Sequence, residues 1–192
     1  RNNKMKKYQL IRLLDIVISL FALIIFSPLM LIIFSLIFLE NRSPIFLQKR
    51  VGKNMREFNL IKFRTMPLGT KSCPTHLVNI SNITKLGRFL RKSKLDEIPQ
   101  FWNVLKGEMT VVGPRPCLFS QKDLLKERQA LNIHKIKPGI TGVAQIKGID
   151  MSNPLLLAET EYEMIKNLNL FNYIYLLLLT FIGNGIGDKT RN

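Results

Sequence analysis

Residues 16–39 run for 24 positions without a charge, as IVISLFALIIFSPLMLIIFSLIFL. At ~1.5 Å per residue a straight helix of that length crosses a ~30 Å hydrocarbon core. A signal peptide has a shorter apolar stretch and a small-residue cleavage site. Neither is evident, so the segment reads as a membrane anchor. Ser27-Pro28 falls in its middle. Pro28 cannot donate to the carbonyl of Ile24, and its ring crowds that carbonyl, which kinks a helix. The Ser27 hydroxyl is placed to bond a carbonyl freed by the break.

Both flanks of the segment are basic. Residues 1–12 carry Arg1, Lys4, Lys6, Lys7 and Arg12 with no acid, and residues 40–56 carry Arg42, Lys49, Arg50, Lys53 and Arg56 against Glu40. Positive charge beside a membrane segment favours the cytoplasmic side. An ordinary kinked transmembrane helix is one reading. A re-entrant helix, entering and leaving on the cytoplasmic side, satisfies both flanks and is the reading preferred here.

Charge then separates the chain into two halves. The formal net charge is +16 over 192 residues. Residues 1–95 hold 18 basic and 3 acidic residues, a net of +15; residues 96–192 hold 11 and 10, a net of +1. Taken alone, a strongly basic chain suggests nucleic acid. Here the basic half also carries the apolar segment, and mean hydropathy is slightly positive at +0.09. The combination points to an anionic membrane surface and excludes a disordered basic tail. The only cysteines are Cys73 and Cys117. That excludes a disulfide scaffold and a zinc finger, and suits a reducing compartment.

The middle of the chain predicts a β-hairpin. PIFLQKRV (44–51) and EFNLIKFRTM (57–66) flank a Gly52-Lys53-Asn54 turn. Residues 67–82 read as a loop. KLGRFLRK (85–92) predicts a basic amphipathic helix, with Leu86, Phe89 and Leu90 at i, i+3, i+4. Residues 168–182 (LNLFNYIYLLLLTFI) are too short to span a bilayer and predict an interfacial or buried helix ended by the glycines of 183–187.

Asp96 and Glu97 are the only acids between Glu57 and Glu108. One role open to them is to complement the dipole of the helix that follows Pro99. A second is chemical: adjacent carboxylates amid Arg and Lys stay ionised, can hold Mg²⁺ together with a phosphate, and can attack phosphorus. Arg115 lies between Pro114 and Pro116, so its backbone is stiff. It is either a solvent-facing residue on a rigid loop or a pre-positioned phosphate ligand. Residues 137–142 (KPGITG) read as a second glycine loop without the Gly-Lys-Ser/Thr ending of a P-loop. His134 reads as a surface residue, with no nucleophile or metal-ligand partner at a recognisable spacing.

Several of these strings stand in one order. RKSKLDEIPQ (91–100), NVLKGEM (103–109), VGPRP (112–116), PGITG (138–142) and KFRTM (62–66), together with Ser27-Pro28, closely resemble the bacterial sugar transferase family. These are the monotopic phosphoglycosyl transferases that begin glycan assembly on a polyprenol carrier. The likeness runs over residues 8–147. It implies the small form, since larger members carry further transmembrane helices and another domain.

The resemblance implies a fold and an activity. The fold is α+β and mostly helical, with a re-entrant membrane helix and its basic flank over residues 1–40. A catalytic domain follows over 41–192, comprising the hairpin, interfacial amphipathic helices and a small cytosolic body. The activity is transfer of a phosphosugar from a UDP-sugar to undecaprenyl phosphate at the cytoplasmic face of the bacterial inner membrane. The products are undecaprenyl-diphosphate-sugar and UMP, the first membrane step of an O-antigen, capsule or glycoprotein glycan. Asp96 would be the nucleophile. Glu97 would support Mg²⁺ binding or proton handling, so the pair would be the metal site. Arg91 matches the active-site arginine, and charge logic adds Lys62, Arg64 and Arg115 as phosphate ligands. Lys94 stands where Ser is also seen, Ile98 replaces the commoner Leu and Glu108 the commoner Asp; none of these removes a catalytic group. No nucleic-acid partner is expected, and an exposed apolar helix face could pair two copies into a homodimer. The alternative is a basic, membrane-anchored module that binds anionic lipid without chemistry.

Overall fold

The computed structural model describes residues 2–70 and 82–182. Its elements are helix α1 (Asn2–Asn41), strands β1 (Ile45–Val51) and β2 (Glu57–Phe63), helices α2 (Lys85–Ser93) and α3 (Gln100–Lys106), strand β3 (Thr110–Val112), helix α4 (Lys122–Ala130), strand β4 (Gly139–Thr141), and helices α5 (Val143–Ile146), α6 (Pro154–Asn167) and α7 (Leu170–Phe181). The described residues are thus mostly helical, with two small sheets among them, as the α+β expectation has it.

Within α1, residues 8–41 are long and apolar enough to cross a membrane by length and composition. The helix continues through Pro28. Ser27 Oγ donates to the Ile24 carbonyl at 2.8 Å, the acceptor that proline leaves without its backbone donor. The orphaned group is therefore satisfied locally, which apolar surroundings require.

One stripe of α1 is buried. Ile11, Asp15, Ser19 and Ala22 lie on it toward the N-terminus, and Ile33 and Ile37 toward the C-terminus, at helical spacing. Ile11 joins the main core with Val104, Met109, Val111, Tyr173 and Leu176. Ile33 and Ile37 join a second cluster with Phe63 and Leu90. Both ends of the apolar segment therefore pack on the same body. The opposite side is exposed and oily, including Ile24, Leu31, Ile32 and Leu39.

The N-terminal half is pinned by polar groups. Arg12 donates to the carbonyls of Val104 (2.7 Å) and Leu105 (3.0 Å), capping the C-terminal end of α3. Asp15 is 2% exposed. Its carboxylate accepts from Thr110 Oγ1 (2.8 Å), Val111 N–H (2.8 Å) and Tyr173 O–H (2.6 Å). Tyr173 is accordingly a core residue, whereas Tyr175 is exposed.

The predicted hairpin is present. β1 and β2 pair antiparallel from Ile45↔Phe63 to Val51↔Glu57. Asn54 and Met55 turn the chain with positive φ. Asn103, fully buried, ties β2 to α3: Oδ1 accepts from Ile61 N–H at 3.0 Å, and Nδ2 donates to Asn59 O at 2.7 Å. Thr84 caps α2 by accepting from Gly87 N–H at 2.9 Å. Gly87 is required there, because a Cβ would run into the backbone of Thr65.

Residues 137–142 depart from the loop expectation. Residues 139–141 form β4, parallel to β3 in the register Thr110↔Gly139 and Val112↔Thr141. His134 is half-buried, its Nδ1 enclosed without a partner, rather than a surface residue. Most of the expected 67–82 loop and the glycines of 183–187 lie outside the described residues.

Candidate active site

Asp96 and Glu97 occupy a 3-10 turn, Leu95–Glu97, between α2 and α3. α2 ends at Lys94, whose left-handed backbone (φ 58°) breaks the helix and redirects the chain into that turn. The two carboxylates therefore sit ahead of α3, not within its first turn. Asp96 is 5% exposed. Glu97 Oε1 pairs with Lys62 Nζ of β2 at 2.8 Å.

Both acids line a cavity of about 530 Å³. Arg91 enters from the last turn of α2, its Nε donating to Thr65 Oγ1 at 2.9 Å. The NH1 of Arg91 is buried without a protein partner. Arg115 enters from the loop after β3. Arg50 enters from β1, braced by Gln48 Oε1 (3.0 and 2.6 Å) and the Pro116 carbonyl (3.0 Å). With Lys62 and Lys94 the lining holds five cations against three carboxylates, Asp96, Glu97 and Asp150. That excess favours a polyanion.

The other wall is apolar. Ile18, Phe21, Ala22, Ile25 and Phe26 of α1 face the cavity, with Leu177 of α7 and Phe101 of α3. The membrane-type helix is thus one side of the site. Ser27 and Pro28 follow Phe26 directly, so the proline falls at the edge of that wall.

The structure therefore brings Asp96, Glu97, Arg91, Lys62 and Arg115 together, and leaves Arg64 out. The Arg64 guanidinium donates to the carbonyls of Ser43 (2.7 Å) and Ile45 (3.2 Å) and lies over the Phe46 ring. It braces the entry to β1 and does not line the cavity. Arg50, Lys94 and Gln145 line it without having been singled out in the sequence. The Gln145 amide is enclosed without a partner.

Magnesium is held by one or two carboxylates completed by substrate phosphates and water. Among the described residues no three His, Cys, Asp or Glu side chains gather into a cage. The adjacent Asp96–Glu97 pair, hard oxygen donors at the cavity wall, fits this sparse mode of binding.

A buried aspartate and a half-buried glutamate beside a cationic wall, faced by an apolar membrane-type helix, make a site whose charge suits an anionic ligand. The chain belongs to the bacterial sugar transferase family, whose profile matches residues 6–184. It is 35% identical to an uncharacterised sugar transferase of Haemophilus influenzae, over 93% of this chain and 42% of that protein. It is 41% identical to the uncharacterised sugar transferase EpsL of Bacillus subtilis, over 69% of this chain and 65% of that protein. It is also 41% identical to a Klebsiella pneumoniae protein named UDP-glucose:undecaprenyl-phosphate glucose-1-phosphate transferase, over 71% of this chain and 30% of that protein. The chain thus spans between about a third and two thirds of the length of these relatives.

Proposed function

We propose that the protein transfers a phosphosugar from a UDP-sugar to undecaprenyl phosphate at the cytoplasmic face of a bacterial inner membrane. The observation that carries the proposal is the single cavity in which Asp96, Glu97, Arg91, Lys62 and Arg115 meet the apolar face of α1. A donor diphosphate and an acceptor phosphate repel each other and an attacking carboxylate. The cationic lining offsets that repulsion before transfer.

In the first step an Asp96 carboxylate oxygen attacks the β-phosphorus. The bond from that phosphorus to the bridging oxygen breaks, and UMP leaves with the electron pair. In the second, a phosphate oxygen of undecaprenyl phosphate attacks the phosphosugar–aspartyl ester and releases Asp96. Arg91 and Arg115 bind phosphate oxygens, and Lys62 fixes Glu97 beside the nucleophile. Asp96 and Glu97 would hold Mg²⁺, which would supply charge neutralisation for the diphosphate. Ile18, Phe21, Ile25 and Phe26 line the approach of the polyprenyl chain.

The re-entrant topology belongs to this proposal. Both ends of the apolar segment pack on one body, through Ile11 and Asp15 at one end and Ile33 and Ile37 at the other. A single compact body on one side of a bilayer can reach both ends only if the helix returns. The exposed apolar residues of α7, Phe171, Ile174 and Leu178 among them, rest at the interface.

The test is UMP release from a panel of UDP-sugars with Mg²⁺ and undecaprenyl phosphate. Turnover with at least one donor is expected, together with label from the sugar on the wild-type protein. Asp96→Asn loses both while retaining donor binding. Release of UDP would show transfer of sugar without its phosphate. Absence of turnover with unchanged lipid binding would favour a binding module.

A further inference from the structure

The loop that carries Arg115 into the cavity is fastened along its whole length. Gly113 N–H donates to Thr141 O (2.8 Å), and Pro114 O accepts from Gly139 N–H (2.7 Å). Pro116 O accepts from Arg50, and Cys117 O from Val51 N–H (3.0 Å). The two groups of Arg115 itself are held differently. Its N–H donates to Glu161 Oε1 at 3.1 Å, and its carbonyl accepts from Arg128 NH2 at 2.8 Å.

Glu161 of α6 and Arg128 of α4 are an ion pair in their own right. Arg128 donates to Glu161 through Nε (2.8 Å) and NH2 (2.6 Å), and the two residues are 6% and 1% exposed. Neither lines the cavity. A buried ion pair is an indifferent source of stability, because an apolar replacement is often as good or better. What an apolar pair cannot supply is an acceptor and a donor aimed at the N–H and C=O of one residue. Here that residue is the one presenting a guanidinium to the site.

We propose that the Arg128–Glu161 pair positions Arg115, fixing both backbone polar groups so that the guanidinium meets the donor phosphates in one orientation. Both act through Arg115 and neither touches substrate. The proposal rests on the phosphosugar-transfer reading. Two flanking prolines restrict φ of Pro114 and Pro116, and the ion pair holds the peptide groups between them.

A double-mutant cycle tests it. Arg128→Lys keeps the charge but cannot hold the carboxylate through two nitrogens and also reach the Arg115 carbonyl. It is expected to lower kcat/KM for the UDP-sugar about tenfold, a typical consequence of misplacing a substrate-positioning group. In an Arg115→Ala background, followed with radiolabelled donor, the same change is expected to alter kcat/KM less than twofold. The loss in Tm should be the same in both backgrounds. Equal fold-losses of kcat/KM with and without Arg115 would overturn the proposal and leave the pair a structural one. If Arg128→Lys does not fold, Glu161→Asp, which shortens the reach to the Arg115 N–H, completes the cycle with the same criterion. Wild-type protein that releases no UMP defeats the functional reading instead, so the two failures are distinguishable.

Discussion

Asp15 is a carboxylate just before a 24-residue apolar run, and it is fully committed to hydrogen bonds. Such a group is tolerable in a core only when its oxygens are satisfied. One of its donors, Tyr173, titrates abnormally as a result. Burial and then the neighbouring Asp15 carboxylate push the Tyr173 phenol far above its ordinary range. The unfolded chain loses this proton near pH 10, while the folded chain keeps it. Above pH ~10 the folded state thus binds more protons, and stability falls by up to about 1.4 kcal/mol per pH unit. Below pH ~10 the contribution is fully present. Tyr173→Phe is expected to be less stable at pH 8, by about 1.5–3 kcal/mol for a hydrogen bond to a charged acceptor. The gap to wild type should narrow as pH is raised from 10 to 11.5, read as Tm in detergent. Parallel curves would show that Tyr173 is not the group responsible.

At the level of elements, β4 shows where local reasoning stops. Its three residues, Gly139-Ile140-Thr141, are too few to display alternation, and its partner β3 is reached only through α4. Pairing across that distance leaves no mark in either segment, so glycine and proline dominate the reading of 137–142 as a loop. Gly139 is there for tertiary reasons: a Cβ would fall onto the backbone of Gly113. Gly139→Ala should therefore cost at least about 2 kcal/mol through backbone displacement. For a chain of this size that is a fall of about 4–8 °C in Tm by thermal melt. An unchanged Tm would mean that β3 and β4 do not approach so closely. Elements set by local patterns are legible: the hairpin from its turn and α2 from its i, i+3, i+4 face. Lys62 and Arg64 look equivalent, two positions apart on one strand. They separate because β2 ends at Phe63, and Arg64 then turns to the Ser43 carbonyl. Arg50 was hidden for the converse reason. A lone arginine in a strand does not declare its face, and its partner Gln48 is identified only by the fold.

At the scale of the whole molecule, the charge division and the buried stripe of α1 describe the same arrangement. The basic excess, +15 before Asp96, covers both flanks of the apolar segment and four of the five cations of the site, Arg50, Lys62, Arg91 and Lys94. The stripe from Ile11 to Ile37 rises through 26 residue steps, about 39 Å if straight at ~1.5 Å per step. That exceeds a ~30 Å hydrocarbon core. For a spanning helix, the body gripping both ends would have to run alongside it through the bilayer, carrying Arg12, Arg91 and Lys62 into hydrocarbon. Charged groups there are costly unless they face protein or water. A helix that returns keeps the stripe, the cations and the cavity together at headgroup depth, where the phosphate of the proposed acceptor would lie. Single cysteines placed at Tyr8 and at Ser43, in a background lacking Cys73 and Cys117, decide between the two. With a membrane-impermeant maleimide, both positions are expected to label in inside-out vesicles and neither in intact spheroplasts. Labelling of the two positions from opposite sides would overturn the re-entrant topology and, with it, the placement of the α1 wall beside the acceptor phosphate.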